Sequence, residues 1–109
     1  MGFEKVAETS EIPSGSMKKV SVMGREILIA NVGGKYYAIG NVCTHMKGNL
    51  SEGILDANII TCPKHKQKFE VTSGKSVEGP KTLLFSKKGK DETKYEVRVE
   101  GDDILVSTE

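Results

Sequence analysis

The sequence predicts an all-β fold: an antiparallel barrel or sandwich scaffold that carries a small inserted subdomain. Three observations predict it. Apolar residues recur with period two in short runs, as at Tyr95, Val97 and Val99, the spacing of a strand with one buried face. Glycine-containing dipeptides separate those runs, Gly33-Gly34 most clearly, and paired glycines accept the positive φ of a two-residue hairpin loop. No stretch has the apolar spacing of an amphipathic helix, and there is no internal repeat or low-complexity tract. Many short strands joined by turns close into a barrel or sandwich.

Residues 3–12 read as a short strand followed by an acidic loop that ends at Pro13-Ser14-Gly15. A strand over 18–22, the turn Met23-Gly24 and a strand over 25–32 come next, with Ile27, Ile29 and Val32 assigned to one apolar face. After Gly33-Gly34 the strand 35–39 returns and delivers the chain to Asn41-Val42. Residues 50–53 read as a turn, 58–61 as a short strand, 68–71 as another, and 72–75 as a turn. Gly79-Pro80 closes this section, since proline cannot donate to a ladder. A strand is expected at 83–85, a solvated charged loop at 86–93, and a final hairpin from 94–100 through Gly101-Asp102 to 104–106. Tyr36 and Tyr37 belong to the sheet, with one of the two facing in.

At 109 residues with 37% apolar content, the chain is one domain able to bury roughly two-thirds of its unfolded surface. A formal charge of +1 supplies no global attraction to nucleic acid or membrane. No apolar run approaches the length of a bilayer span, and the first residues lack the basic region and apolar core of a signal peptide. The expected location is therefore cytoplasmic. Two cysteines in such a chain are more often catalytic or metal-binding than a structural disulfide.

The chemistry is concentrated in two short loops. Cys43-Thr44-His45 and Cys62-Pro63-Lys64-His65 hold the only two cysteines and the only two histidines of the chain, one of each per loop. Each loop thus offers a soft thiolate and an imidazole. Zinc could take all four in a tetrahedral site, though zinc fingers usually segregate paired cysteines from paired histidines. A two-iron cluster accommodates the mixture directly, with both cysteines on one iron and both histidines on the other. A Cys–His nucleophile would leave one such pair unexplained, and Cys-x-x-His is not the Cys-x-x-Cys of a thioredoxin-like site.

These residues resemble the cluster-binding segment of Rieske-type [2Fe-2S] ferredoxins. The similarity is carried by Cys43-Thr44-His45-Met46, Leu50-Ser51-Glu52-Gly53, Cys62-Pro63-x-His65, Phe69-Glu70-Val71 and Thr72-x-Gly74-Lys75. It extends to Arg25-Glu26-Ile27, Tyr37-Ala38-Ile39 and Tyr95-x-Val97-x-Val99, and so covers most of the chain. It implies a scaffold of residues 1–41 and 81–109 and a cluster-binding segment of 42–80. It also implies one [2Fe-2S] cluster, with Cys43 and Cys62 on the inner iron and His45 and His65 on the outer. The implied work is one-electron transfer from a reductase to a terminal oxygenase or other redox enzyme, by a monomer that is not itself an enzyme. Alternatives are a ferredoxin subunit of a dioxygenase or nitrite-reductase-type complex, and a zinc-stabilised interaction module.

The resemblance also bears on the reduction potential. High-potential members carry a disulfide at the positions that match Gly48 and Lys64, and serine and tyrosine hydroxyls at those matching Gln67 and Phe69. This chain has no further cysteine, and phenylalanine has no hydroxyl. Fewer hydrogen bonds to sulfur leave the reduced cluster less stabilised, so the expected potential is in the lower part of the range of about −150 to +300 mV. Lys47, Lys64 and Lys66 are expected to ring the exposed histidines and to favour an acidic patch on the partner. Pro63 is expected to stiffen the second loop, Gly48, Gly53 and Gly74 to permit tight turns, and Phe69 to be a core residue.

Overall fold

The computed structural model describes residues 2–42, 49–63, 67–78 and 91–108. The ten strands among them are β1 (Glu4–Glu8), β2 (Met17–Val22), β3 (Arg25–Val32), β4 (Lys35–Gly40), β5 (Ile54–Asp56), β6 (Ile59–Thr61), β7 (Lys68–Glu70), β8 (Ser76–Glu78), β9 (Lys94–Glu100) and β10 (Asp103–Ser107). They form a six-stranded sheet in the order β1-β10-β9-β4-β3-β2 and a four-stranded sheet in the order β5-β6-β7-β8. Every strand pair is antiparallel. The end strands β1 and β2 of the larger sheet lie against each other, so that sheet curls into a nearly closed barrel. Helical structure among the described residues is limited to two 3₁₀ turns, Thr9–Glu11 and Leu50–Glu52.

The hairpin β3–β4 divides the molecule. Side chains alternate across a strand, and both faces of β3 are buried. Ile27 and Ile29 pack with Val22, Ala38, Tyr95, Ile104 and Val106 in the barrel interior. Leu28 and Ala30 pack on the other side with Ile39, Leu50, Ile60, Cys62, Phe69 and Val71. Val32 joins this second group, which corrects its assignment to the face of Ile27 and Ile29: an odd separation reverses the face. The turn joining β3 to β4 has φ of 62° at Gly33 and 95° at Gly34, as their pairing predicts. Met23 takes the same left-handed conformation with φ of 52°, at an exposed hairpin tip.

Several expectations change. Residues 54–56 and 76–78 are strands the pattern did not reveal, because they are formed by pairing with the edges of β6 and β7. Residues 91–93 are a loop with Asp91 and Thr93 exposed, as expected, but Glu92 between them is buried and the segment is tied down by its backbone. Thr93 O accepts from Gly40 N–H at 2.9 Å, Glu92 N–H donates to Gly74 O at 2.7 Å, and Glu92 is buried. Their backbone thus stitches the barrel to the smaller sheet. Gly53 is required by close approach and not by a left-handed φ, since a Cβ there would lie 2.0 Å from Thr61 O. Gly74 does have φ of 80°. Tyr36 and Tyr37 are both half-buried, and Tyr36 Oη donates to the carbonyls of Thr9 and Ile12 at 3.2 and 3.1 Å. The strand expected at 83–85, the turns at Gly48 and Gly79-Pro80, and residues 86–90 lie outside the described residues.

The double burial of β3 leads to a paired outcome. Leu28→Ala and Ile29→Ala should each cost about 2–5 kcal/mol, measured by thermal or denaturant unfolding. Hydrogen exchange should separate them: Leu28→Ala accelerates amides of β6 and β7, and Ile29→Ala those of β9 and β10, because local openings follow the weakened packing.

Candidate metal centre

The first candidate loop leaves β4 at Asn41 and re-enters the described chain at Asn49. Val42 and Asn49 form an isolated antiparallel bridge, which closes its neck. Asn41 is fully buried, and its polar groups are engaged throughout. Its N–H donates to Glu26 O at 3.0 Å, and its carbonyl accepts from Leu50 N–H at 2.7 Å. Its Oδ1 accepts from Ser51 N–H at 3.0 Å, which fixes the amide orientation because a backbone N–H can only donate. Its Nδ2 then donates to Asn49 Oδ1 at 2.9 Å and to Glu26 Oε1 at 3.4 Å. One side chain therefore holds the entry and exit of the loop together.

The second candidate loop is the connection of the β6–β7 hairpin, whose last pair is Thr61 with Lys68. Cys62 N–H donates to Gln67 O at 2.8 Å, so the cysteine begins a closed loop. Cys62 has no exposed surface. Its neighbours in the second apolar cluster include Leu50, Ile60 and Phe69, and Phe69 is a core residue as expected. Pro63 is exposed.

The two necks are brought together although 43–48 and 64–66 fall outside the described residues. Leu50, at the exit of the first loop, shares a core cluster with Cys62, at the entrance of the second. Gly53 passes so close to Thr61 O that no Cβ fits, and Ile54 pairs with Thr61. Of the four predicted ligands, Cys62 is described; Cys43, His45 and His65 are not, nor are Lys47, Lys64 and Lys66. Among the described residues no three metal-ligating side chains converge.

The donor chemistry fits a two-iron cluster. Two thiolates and two imidazoles match the two unlike irons of such a centre. The one described donor is fully buried against an apolar wall, which suits a cluster whose potential depends on burial. Sequence reasoning missed Asn41, Asn49 and Ser51. Two asparagines flanking a ligand loop were the available signal, since such side chains hydrogen-bond nearby backbone.

Comparison with known proteins agrees with this geometry. A family model described as the Rieske [2Fe-2S] domain matches residues 2–86. The chain is 36% identical over 107 residues to the biphenyl dioxygenase ferredoxin subunit of Pseudomonas sp. (strain KKS102), covering 97% of this chain and 92% of that one. Among solved structures it is similar to the ferredoxin of carbazole 1,9a-dioxygenase from Nocardioides aromaticivorans IC177, with a TM-score of 0.86, 29% identity and complete coverage of both chains. It is also similar to a chain in a complex of reduced oxygenase and oxidized ferredoxin in carbazole 1,9a-dioxygenase, with a TM-score of 0.84, 30% identity, and coverage of 98% and 94%.

The Asn41 clamp has a direct test. Asn41→Asp keeps the acceptor for Ser51 N–H but turns an oxygen toward Asn49 Oδ1 and Glu26 Oε1. Losing both donors in a buried position should cost about 2–3 kcal/mol. Iron per chain after purification should fall below that of the parent, and the melting temperature should drop with it.

Proposed function

The chain belongs to the Rieske [2Fe-2S] domain family, and we propose that it is a one-electron carrier between a reductase and the terminal oxygenase of a dioxygenase system. The observation that carries this reading is the pair of adjacent loop necks, each leading into one cysteine and one histidine. Cys43 and Cys62 would hold one iron as thiolates, and His45 and His65 the other as neutral imidazoles. When bound, the cluster supplies a site that gains and loses a single electron. Everything else falls to the protein.

Asn41 holds the first loop at its two ends, and the Cys62–Gln67 hydrogen bond holds the second. The wall of Leu28, Leu50, Ile60 and Phe69 excludes water from the thiolate side. Such fixing limits how far ligands shift when charge arrives. The chain's relatives are named as ferredoxin components and subunits of dioxygenase systems, which supports a carrier and not a catalyst. It also favours this reading over a nitrite-reductase-type complex or a zinc-stabilised module.

The division into a scaffold of 1–41 and 81–109 and a cluster-binding segment of 42–80 is part of this proposal. It is supported by the two sheets, whose strands fall on either side of those boundaries. A monomer in the cytoplasm is the form proposed, in keeping with the balanced charge. Among the described residues no helix is long and apolar enough to cross a membrane.

Phe69 is buried in the apolar cluster and has no hydroxyl to offer a sulfur, so the proposed potential is low. Purified protein should contain two irons and two sulfides and develop a rhombic EPR signal only on reduction. Its midpoint should lie below roughly +150 mV, within the range open to such centres. Stoichiometric zinc without an EPR signal, in protein purified anaerobically from iron-replete cells, would overturn the carrier; a midpoint above that value would overturn the low-potential assignment alone.

A further inference from the structure

Gln67 is a polar side chain with no exposed surface, at the closing position of the second ligand loop. A buried primary amide costs several kcal/mol in an apolar setting unless it is hydrogen-bonded, so its retention calls for a structural reason. Two contacts supply one. Its main-chain oxygen accepts from Cys62 N–H at 2.8 Å, so the backbone of Gln67 is tied to a proposed ligand residue. Its Nε2 donates to Ser76 Oγ over a long 3.4 Å.

Ser76 is placed for that role. It is 2% exposed, and it stands opposite Phe69 at the start of β8. The β7–β8 ladder shifts register between Lys68 and Phe69, and Ser76 N–H donates to Asp91 Oδ1 at 2.8 Å. A carboxylate acceptor makes this the stronger kind of hydrogen bond. Asp91 adjoins Glu92, whose N–H is held by Gly74 O. A continuous series of contacts thus runs from residue 91 through Ser76 and Gln67 to Cys62.

We propose that Gln67 is a positioning residue for the second ligand loop, anchored by Ser76, and that this anchor helps set the reduction potential of the cluster. The inference rests on the carrier reading above. Its physical basis is that peptide and side-chain dipoles around ligand sulfur tune such centres. The Cys62 peptide keeps its direction only while Gln67, whose oxygen accepts its N–H, is fixed. Ser76→Ala removes one oxygen from a buried site without adding volume, so a role in packing alone leaves the potential where it was.

The test uses cluster-loaded protein: the parent, Ser76→Ala, Ser76→Thr, Gln67→Met, and the Ser76→Ala/Gln67→Met double variant. Iron, sulfide, melting temperature, EPR g-values and midpoint potential are measured for each. Ser76→Ala and Gln67→Met should each change the redox equilibrium at least threefold and in the same direction. That is about 28 mV for a one-electron couple at 59 mV per tenfold. The double variant should move no further than the larger single change, since both remove one interaction, and Ser76→Thr, which keeps Oγ, should return to the parent potential.

Fully loaded Ser76→Ala protein with the parent's potential and g-values would overturn the proposal, as would single shifts that simply add. If Gln67→Met does not fold, the Ser76→Ala and Ser76→Thr pair decides alone. A parent protein lacking the two irons and two sulfides is a separate result, which removes the carrier reading itself and this inference with it.

Discussion

The burial of β3 on both faces is the constraint from which the rest of the structure follows. A strand with one wet face alternates apolar and polar residues. Residues 27–30 read Ile-Leu-Ile-Ala without a polar interruption, and each of the four is fully buried. Fully burying a large aliphatic side chain contributes about 1.5–3 kcal/mol, so neither face is readily given up. The barrel interior and the apolar cluster behind Cys62 consequently share one wall. They cannot move apart without exposing one of the two sets.

That shared wall explains how loops could serve as the proposed metal site here. A ligand on a free loop would relax each time the cluster changed charge. Both loops instead depart from elements fastened to the wall. The first leaves β4, which pairs with β3 over six residue pairs. The second leaves β6, whose Ile60 packs in the same cluster as Leu28. The necks are then locked by polar contacts where the apolar ones end. Asn41 is the clearest case, a buried side chain whose cost is offset because each of its donors and acceptors is satisfied.

How far the sequence was legible depended on how local each signal was. Gly33-Gly34 and the alternation of β9 are local, and both were readable. The four Cys and His residues stand out as a set because the chain has no others; the family match supports the kind of cluster, while Cys43, His45 and His65 lie outside the described residues. The face of Val32 could have been read from parity alone. Strands β5 and β8 could not: Ile54-Leu55-Asp56 and Ser76-Val77-Glu78 become strands because β6 and β7 present edges to them. Asp91-Glu92-Thr93 reads as solvated because it is charged. Its place is set by main-chain hydrogen bonds, which leave no mark in composition.

The position of Glu92 shows how the two halves are kept in register. A Cβ on Gly40 would lie 2.6 Å from Glu92 Oε1, and a Cβ on Gly74 would lie 2.5 Å from Glu92 O. Two glycines therefore make room for one residue, the first at the end of β4 before the first loop and the second shortly after β7 beyond the second loop. Gly40 N–H and Gly74 O, moreover, bond the backbone of Thr93 and Glu92 directly. The returning chain is thus seated between the roots of both ligand loops before it enters β9. The separation of the two necks is therefore set by Gly40, Gly74 and Glu92.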